Sequence, residues 1–232
     1  MNSARIHDNL RSVRERIAAA AARSGRDPSA VSLVAVTKRR PVEQVRALIE
    51  AGAVDLGENY PQELWGKVAA LADSPAIRWH LIGHLQGNKA GRTLPMVRMI
   101  HAVDSLKLLR ALDGLADDVV EPPEVCLQVN TSGEEAKHGW RDDAILEDAE
   151  AIAACARIPV VGLMTMAARG TDAETARPSF ARLRAIRDEL RLRTGLALPR
   201  LSMGMSHDFE AAVAEGATLV RVGSALFEGV EP

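Results

Sequence analysis

Lys38 follows directly on the apolar run Val34-Ala35-Val36-Thr37, with Val34 and Val36 at alternate positions on its own side. An amine at the end of a strand can reach into a cleft. Partial desolvation there would weaken its preference for the charged form and favour Schiff-base chemistry with a carbonyl. Beside Arg39 and Arg40, Lys38 also reads as a solvated basic turn, and by position alone that is the simpler reading. Two segments near the C-terminus suggest a phosphate cradle. Gly204-Met205-Ser206 precedes a helical stretch, with Ser206 as its expected N-cap, and Val222-Gly223-Ser224 follows the last apolar run. Exposed amides at such a helix end attract phosphate, and glycine lets the backbone come close to a ligand. A capped helix and a glycine turn would look the same. Arg221 lies inside the apolar run Leu219-Val220-Arg221-Val222 and needs a partner there. A structural carboxylate is the plainer partner and a ligand acceptor the sharper one.

Other chemistry finds little support. His80 and His84 are four apart, but Gly83 and the strand-like surroundings oppose the helix that a paired-histidine metal site wants, so no metal is expected. There is no Walker loop, no GxGxxG and no serine in a nucleophile elbow.

These groups must be positioned by the elements around them. Ile6, Leu10, Val13 and Ile17 recur at helical spacing, and Gly25 and Pro28 end that first helix. Strands are expected at 31–37, 54–56, 78–82, 99–102, 125–130, 160–163, 200–202 and 219–222. A helix between Pro41 and Gly52 and further ones near 61–72, 87–94, 105–117, 141–156, 173–193 and 207–215 separate them. Thr171 and Glu174 have capping-box spacing ahead of the stripe Phe180, Leu183, Ile186 and Leu190. Alternation implies parallel strands, and about eight of them close a (β/α)8 TIM-type barrel, here with an extra N-terminal helix. An open doubly wound sheet is the alternative. In a barrel, Lys38 and the two glycine-rich segments share the C-terminal face, where active sites sit, and the loops after strands 7 and 8 commonly take phosphate.

At 232 residues one barrel domain, 1–232, accounts for the chain. A net charge of −2 and 3% aromatics argue against nucleic acid or an anionic membrane as partner. Cys126 and Cys155 have no metal-type spacing and read as small core residues. The charged N-terminus and the lack of a long apolar run point to the cytoplasm, and a monomer or weak dimer is expected.

Read together, the motifs resemble the pyridoxal phosphate homeostasis protein family. They are Val34-Ala35-Val36-Thr37-Lys38, Gly57-Glu58-Asn59 with Gln62-Glu63, and Trp79-His80-Leu81-Ile82-Gly83 with Leu85-Gln86 and Asn88-Lys89. Later come Val129-Asn130 with Lys137 and Gly139, Gly162-Leu163-Met164, Leu201 through Ser206 with Asp208, and Val220 through Ser224. The resemblance implies a fold like the N-terminal barrel of alanine racemase, without that enzyme's second domain. It implies pyridoxal 5′-phosphate (PLP) on Lys38, phosphate at Ser206, Gly223 and Ser224, the pyridine nitrogen at Arg221, and Asn59, His80 and Met203 near the cofactor. Glu228, where the family usually has glycine, departs from the pattern in the tail. The implied role is a PLP carrier or reservoir that could serve apo PLP enzymes, with no efficient turnover of its own. The alternative is a PLP-dependent amino-acid racemase. A permanent arginine cation at the ring nitrogen would weaken the electron sink, and the sole tyrosine is Tyr60.

Overall fold

A computed structural model describes residues 2–74, 76–134, 138–168, 170 and 172–230. Short β-branched and aliphatic runs form the strands β1 (Ser32–Val36), β2 (Asp55–Glu58), β3 (Arg78–Leu81), β4 (Met99–Val103), β5 (Glu124–Gln128), β6 (Val160–Met164), β7 (Arg200–Ser202) and β8 (Leu219–Val222). Each pairs in parallel with the next, and β1 pairs with β8 from Ser32↔Leu219 to Ala35↔Val222, closing an eight-stranded barrel. The expected barrel is therefore present, and the open sheet is excluded.

The helices are α1 (Asn2–Arg23), α2 (Val42–Glu50), α3 (Pro61–Ala70), α4 (Gly87–Thr93), α5 (Leu106–Leu115), α6 (Asp142–Glu147), α7 (Ala149–Ala153), α8 (Ala173–Thr194) and α9 (Phe209–Ala214). After β8, among the described residues, a 3-10 turn, Ser224–Phe227, takes the place of a further α-helix. Helix α1 packs against both α9 and α2 and so fills the slot of the missing eighth helix. It buries the Ile6, Leu10, Val13 and Ile17 stripe, and Asn9 donates to the carbonyls of Leu226 and Glu228. The tail turns at Gly229, φ +68°, one residue after Glu228, so the departure at Glu228 costs the turn nothing.

Strand alternation sorts the core into two layers. Val34, Met99, Cys126, Met164 and Leu219 cluster inside the barrel, while Ala35, Val220 and Val222 join the layer beneath the helices. Both cysteines are free and buried, as expected of small core residues.

Two helix expectations need correction. The stretch 141–156 is not one helix: it breaks at Asp148, φ −78° and ψ 3°, whose carboxylate accepts from the Trp140 indole at 2.8 Å. Helix α8 is capped by Asp172, which accepts from Thr175 N at 2.8 Å. A shorter carboxylate side chain one residue later does the work assigned to the Thr171–Glu174 box, and Thr171 lies outside the described residues.

Candidate cofactor-binding site

The loops after β7, β8 and β1 meet at the barrel mouth. Lys38 opens a tight turn in which Arg40 N donates to Thr37 O. Arg39 takes φ +58°, a left-handed conformation costing ~1 kcal/mol. Its amide is held by the Glu63 carboxylate at 2.9 Å. Below the turn Lys67 Nζ donates to Thr37 O and to Glu58 Oε1, each at 2.6 Å, and Thr37 Oγ1 donates to the same oxygen. Burial pushes the Glu58 carboxyl up, against the pull of Lys67 and Thr37. This network anchors the residue before Lys38. Lys38 itself is exposed, so burial does not supply the desolvation expected of it.

The cradle is built differently from the expected capped helix. Helix α9 starts at Phe209 with Asp208 at the N-cap position, so Ser206 is not its cap. Asp208 instead accepts from Met205 N at 2.6 Å. The Ser206 hydroxyl reaches across to the β8 loop and accepts from Gly223 N at 3.2 Å and Ala225 N at 3.3 Å. Gly204 has φ +92°, and a Cβ there would lie 2.6 Å from the Ala212 Cβ. A Cβ on Gly223 would come within 3.2 Å of the Val36 Cβ. The phosphate-type amides therefore sit beside the end of the strand that carries Lys38.

Arg221 points into the barrel and is 4% exposed. It donates to Ser202 Oγ at 2.5 Å and to Thr165 O at 2.9 Å. No carboxylate pairs with it among the described residues, so the plainer expectation fails. Burial pulls its guanidinium down to about 10, against the attraction of Asp208.

Ser202 begins a buried chain through the barrel. Its Oγ lies 2.6 Å from His101 Nδ1, His101 Nε2 lies 2.9 Å from His80 Nδ1, and His80 Nε2 lies 3.0 Å from Asp55 Oδ1. Arg78 then clasps Asp55 through two nitrogens. The ends fix the direction of every bond. Arginine can only donate to Ser202, whose hydroxyl proton has His101 Nδ1 as its acceptor among the described residues. His101 must then donate from Nε2 to His80, and His80 from Nε2 to the Asp55 carboxylate. Both histidines are thereby neutral Nε2–H tautomers. Burial, with the positive field of Arg221, holds His101 well below its usual value. Desolvation would raise the Asp55 carboxyl, but hydrogen bonds from His80 and Arg78 outweigh it and bring it to about 2.

The outer residues that the resemblance places near the cofactor lie at different depths in the barrel. Asn59 stands at the mouth after β2, packed so tightly on Gly83 that a Cβ there would meet Asn59 O at 2.2 Å. His80 is a link in the buried chain rather than an open mouth residue. Met203 is fully buried in the layer beneath the helices, because the strand's alternation turns Ser202 inward. Asp55 and His101 were missed. A histidine at an inward position of the apolar run 99–103 was the available signal.

A family model for the alanine racemase N-terminal domain matches residues 2–231. The pyridoxal phosphate homeostasis protein of Pseudomonas aeruginosa is 43% identical over 222 residues, covering 96% of this chain and 94% of that protein. The human protein of the same name is 39% identical over 231 residues, covering 94% and 84%. PipY of Synechococcus elongatus, solved with PLP bound, matches with TM-score 0.84 at 37% identity, covering 96% of this chain and 99% of that one. Alanine racemase from Corynebacterium glutamicum matches with TM-score 0.74 at 18% identity, over 98% of this chain and 63% of that one, a likeness of fold alone. Identity at this level over nearly the whole length, on the same closed barrel, means that the chain belongs to the pyridoxal phosphate homeostasis protein family.

Proposed function

We propose that this chain binds PLP at the barrel mouth and holds it as an intracellular reservoir, without efficient turnover. The observation that carries the reading is the Ser206 hydroxyl between Gly223 N and Ala225 N, beside the strand end that bears Lys38. A phosphate is a stronger acceptor than a hydroxyl. It can take over those two amides while Ser206 turns its own proton toward it, with Ser224 beside the same turn. PLP, when bound, supplies an aldehyde that condenses with an amine and a ring that can accept electrons. Lys38 supplies the amine from an anchored turn. Arg221, which donates to Ser202 Oγ and Thr165 O, would hold the ring nitrogen with its remaining donors, and a permanent cation there would keep a proton off it. That weakens the electron sink and favours holding over turnover. Asn59 borders the ligand, while His80 acts only through the chain to Arg221. Tyr60, the sole tyrosine, is exposed and 3.5 Å from Arg39, where it offers a racemase no base.

PLP held this way can be handed to apo PLP enzymes in the cytoplasm, with the chain acting as a monomer or weak dimer. Among the described residues no helix is long and apolar enough to cross a membrane.

The test is direct. Purified protein given PLP should show a visible absorption band that borohydride abolishes, and peptide mapping should find the pyridoxyl group on Lys38. A label mainly on Lys89, or on Lys137, which lies outside the described residues, would overturn the assignment.

A further inference from the structure

Three polar side chains converge on the rim of the mouth and take no part in the cradle or the buried chain. His84 follows β3, Asp104 follows β4 and His138 lies beyond β5. His84 Nδ1 lies 2.7 Å from Asp104 Oδ2, and His138 Nδ1 lies 3.7 Å from the same oxygen. The two rings stack at 4.8 Å with 20° between their planes. One ligand atom from each residue lies within 4.8 Å of the other two. A simple histidine–aspartate hydrogen bond would explain His84 but not His138, which turns the same ring nitrogen to the same carboxylate.

We infer that His84, Asp104 and His138 form a divalent-cation site. Their backbones are held in place, which exposed residues seldom are. Gly83 is wedged against Asn59, which fixes the residue before His84. Asp104 starts the short turn ahead of α5, and its side chain is only 9% exposed. Gln128 Nε2 donates to His138 O at 2.7 Å, and Gly139 lies at φ +118° against Gln128. Trp140 N donates to Gln128 O at 2.9 Å and Asn130 N to Trp140 O at 2.8 Å, closing the loop behind His138.

Two imidazoles and one carboxylate suit zinc, cobalt or nickel better than magnesium or calcium, which want an all-oxygen shell. Ligand atoms about 2.0–2.2 Å from such an ion stand a little over 3 Å apart. The His84–Asp104 pair must therefore open by about half an ångström, and the two imidazole nitrogens, within 4.8 Å of each other, must approach by up to about 1.5 Å. On binding, His84 presents Nδ1 as its lone-pair nitrogen with its proton on Nε2, and the ion takes the place of the hydrogen bond to Asp104. With three protein ligands and both imidazoles partly in solvent, the ion keeps at least one open position. Strand β4 stands opposite β8 in the eight-membered ring, so the cluster lies across the mouth from the loop after β8.

The experiment titrates zinc into untagged, chelator-treated, PLP-loaded protein by calorimetry and cobalt(II) by visible spectroscopy. One equivalent per chain is expected, with cobalt ligand-field bands and no thiolate charge-transfer band, since both cysteines are buried. His84→Ala, His138→Ala and Asp104→Asn should each weaken zinc at least about tenfold. His7→Ala, at an exposed histidine of α1, should not change it. An unaltered PLP band in each variant reports an intact fold. Binding without one-to-one saturation, or unchanged affinity in the His84→Ala/His138→Ala double variant, would overturn the site.

Discussion

Ser206 is the residue on which the phosphate reading turns, and its bonds distinguish it from a helix cap. A cap serves the first amides of its own helix; Ser206 serves two amides of another loop, on Gly223 and Ala225. Removing its hydroxyl should therefore damage a phosphate ligand and spare the same ligand without phosphate. For Ser206→Ala we expect PLP affinity to fall about tenfold, the size of one charge-assisted hydrogen bond, and pyridoxal affinity to change far less. Equal losses for the two ligands would return Ser206 to a structural role. Arg221 poses the converse problem. A buried guanidinium whose partners among the described residues are a hydroxyl and a carbonyl carries a desolvation cost of several kcal/mol. The chain to Asp55 spreads part of its compensation across the barrel by polarising each bond in turn.

At the scale of elements, the alternation of strand and helix was legible because β-branched runs and helical stripes obey different periods. Lys38, Ser206, Gly223, Ser224 and Arg221 could be picked out because chemistry-bearing types fell just after, or inside, such runs. What was not legible depends on contacts distant in sequence. The break at Asp148 comes from Trp140, the true partner of Ser206 lies in the next loop, and the burial of Met203 follows from which face of β7 turns inward. Gly162 of β6 belongs here too. Its family match gave no reason for glycine, whereas the barrel does: opposite Arg200 of β7, a Cβ would stand 1.9 Å from the Arg200 carbonyl oxygen. That atom is backbone and cannot step aside without parting the strands. Gly162→Ala should cost about 2–4 kcal/mol in urea unfolding, in line with severe overpacking. A cost below about 0.5 kcal/mol, as at an ordinary surface site, would contradict the tight β6–β7 approach.

At the scale of the whole molecule, the short rim bears on how the cofactor leaves. The connections after β1, β2, β3, β4 and β7 hold two to six residues each, and the longer ones run over 129–141 and 165–172. The short ones leave little to fold as a lid over the side of the mouth that bears Lys38 and the cradle. PLP-loaded protein should therefore reactivate an apo PLP enzyme, and recovery should persist when a scavenger consumes free PLP. Recovery abolished by the scavenger would mean passive buffering, and none at all would refute the reservoir.

The buried chain also gives the barrel a defined response to acid. His101 is held well below its ordinary 6.5 in the folded state, so below pH 6.5 the unfolded chain binds a proton that the folded chain refuses. Its contribution is present above that pH and drains away as pH falls, by up to about 1.4 kcal/mol per pH unit. Asp55 acts lower. Its carboxyl is depressed from 3.8 to about 2, so its contribution is complete above pH 3.8 and is lost as pH falls from there toward 2. That second loss amounts to about 1–2 kcal/mol once partial exposure is discounted. Urea unfolding followed from pH 7 to pH 4.5 should thus show a decline steeper in the native chain than in His101→Gln, by about one proton's slope. With the titration carried on toward pH 2, Asp55→Asn should keep the His101 slope and lose only the later one. Parallel curves for the native chain and His101→Gln would mean that His101 accepts a proton in place. The Ser202–His101 bond alone would then run the other way, with His101 Nδ1–H donating to the hydroxyl.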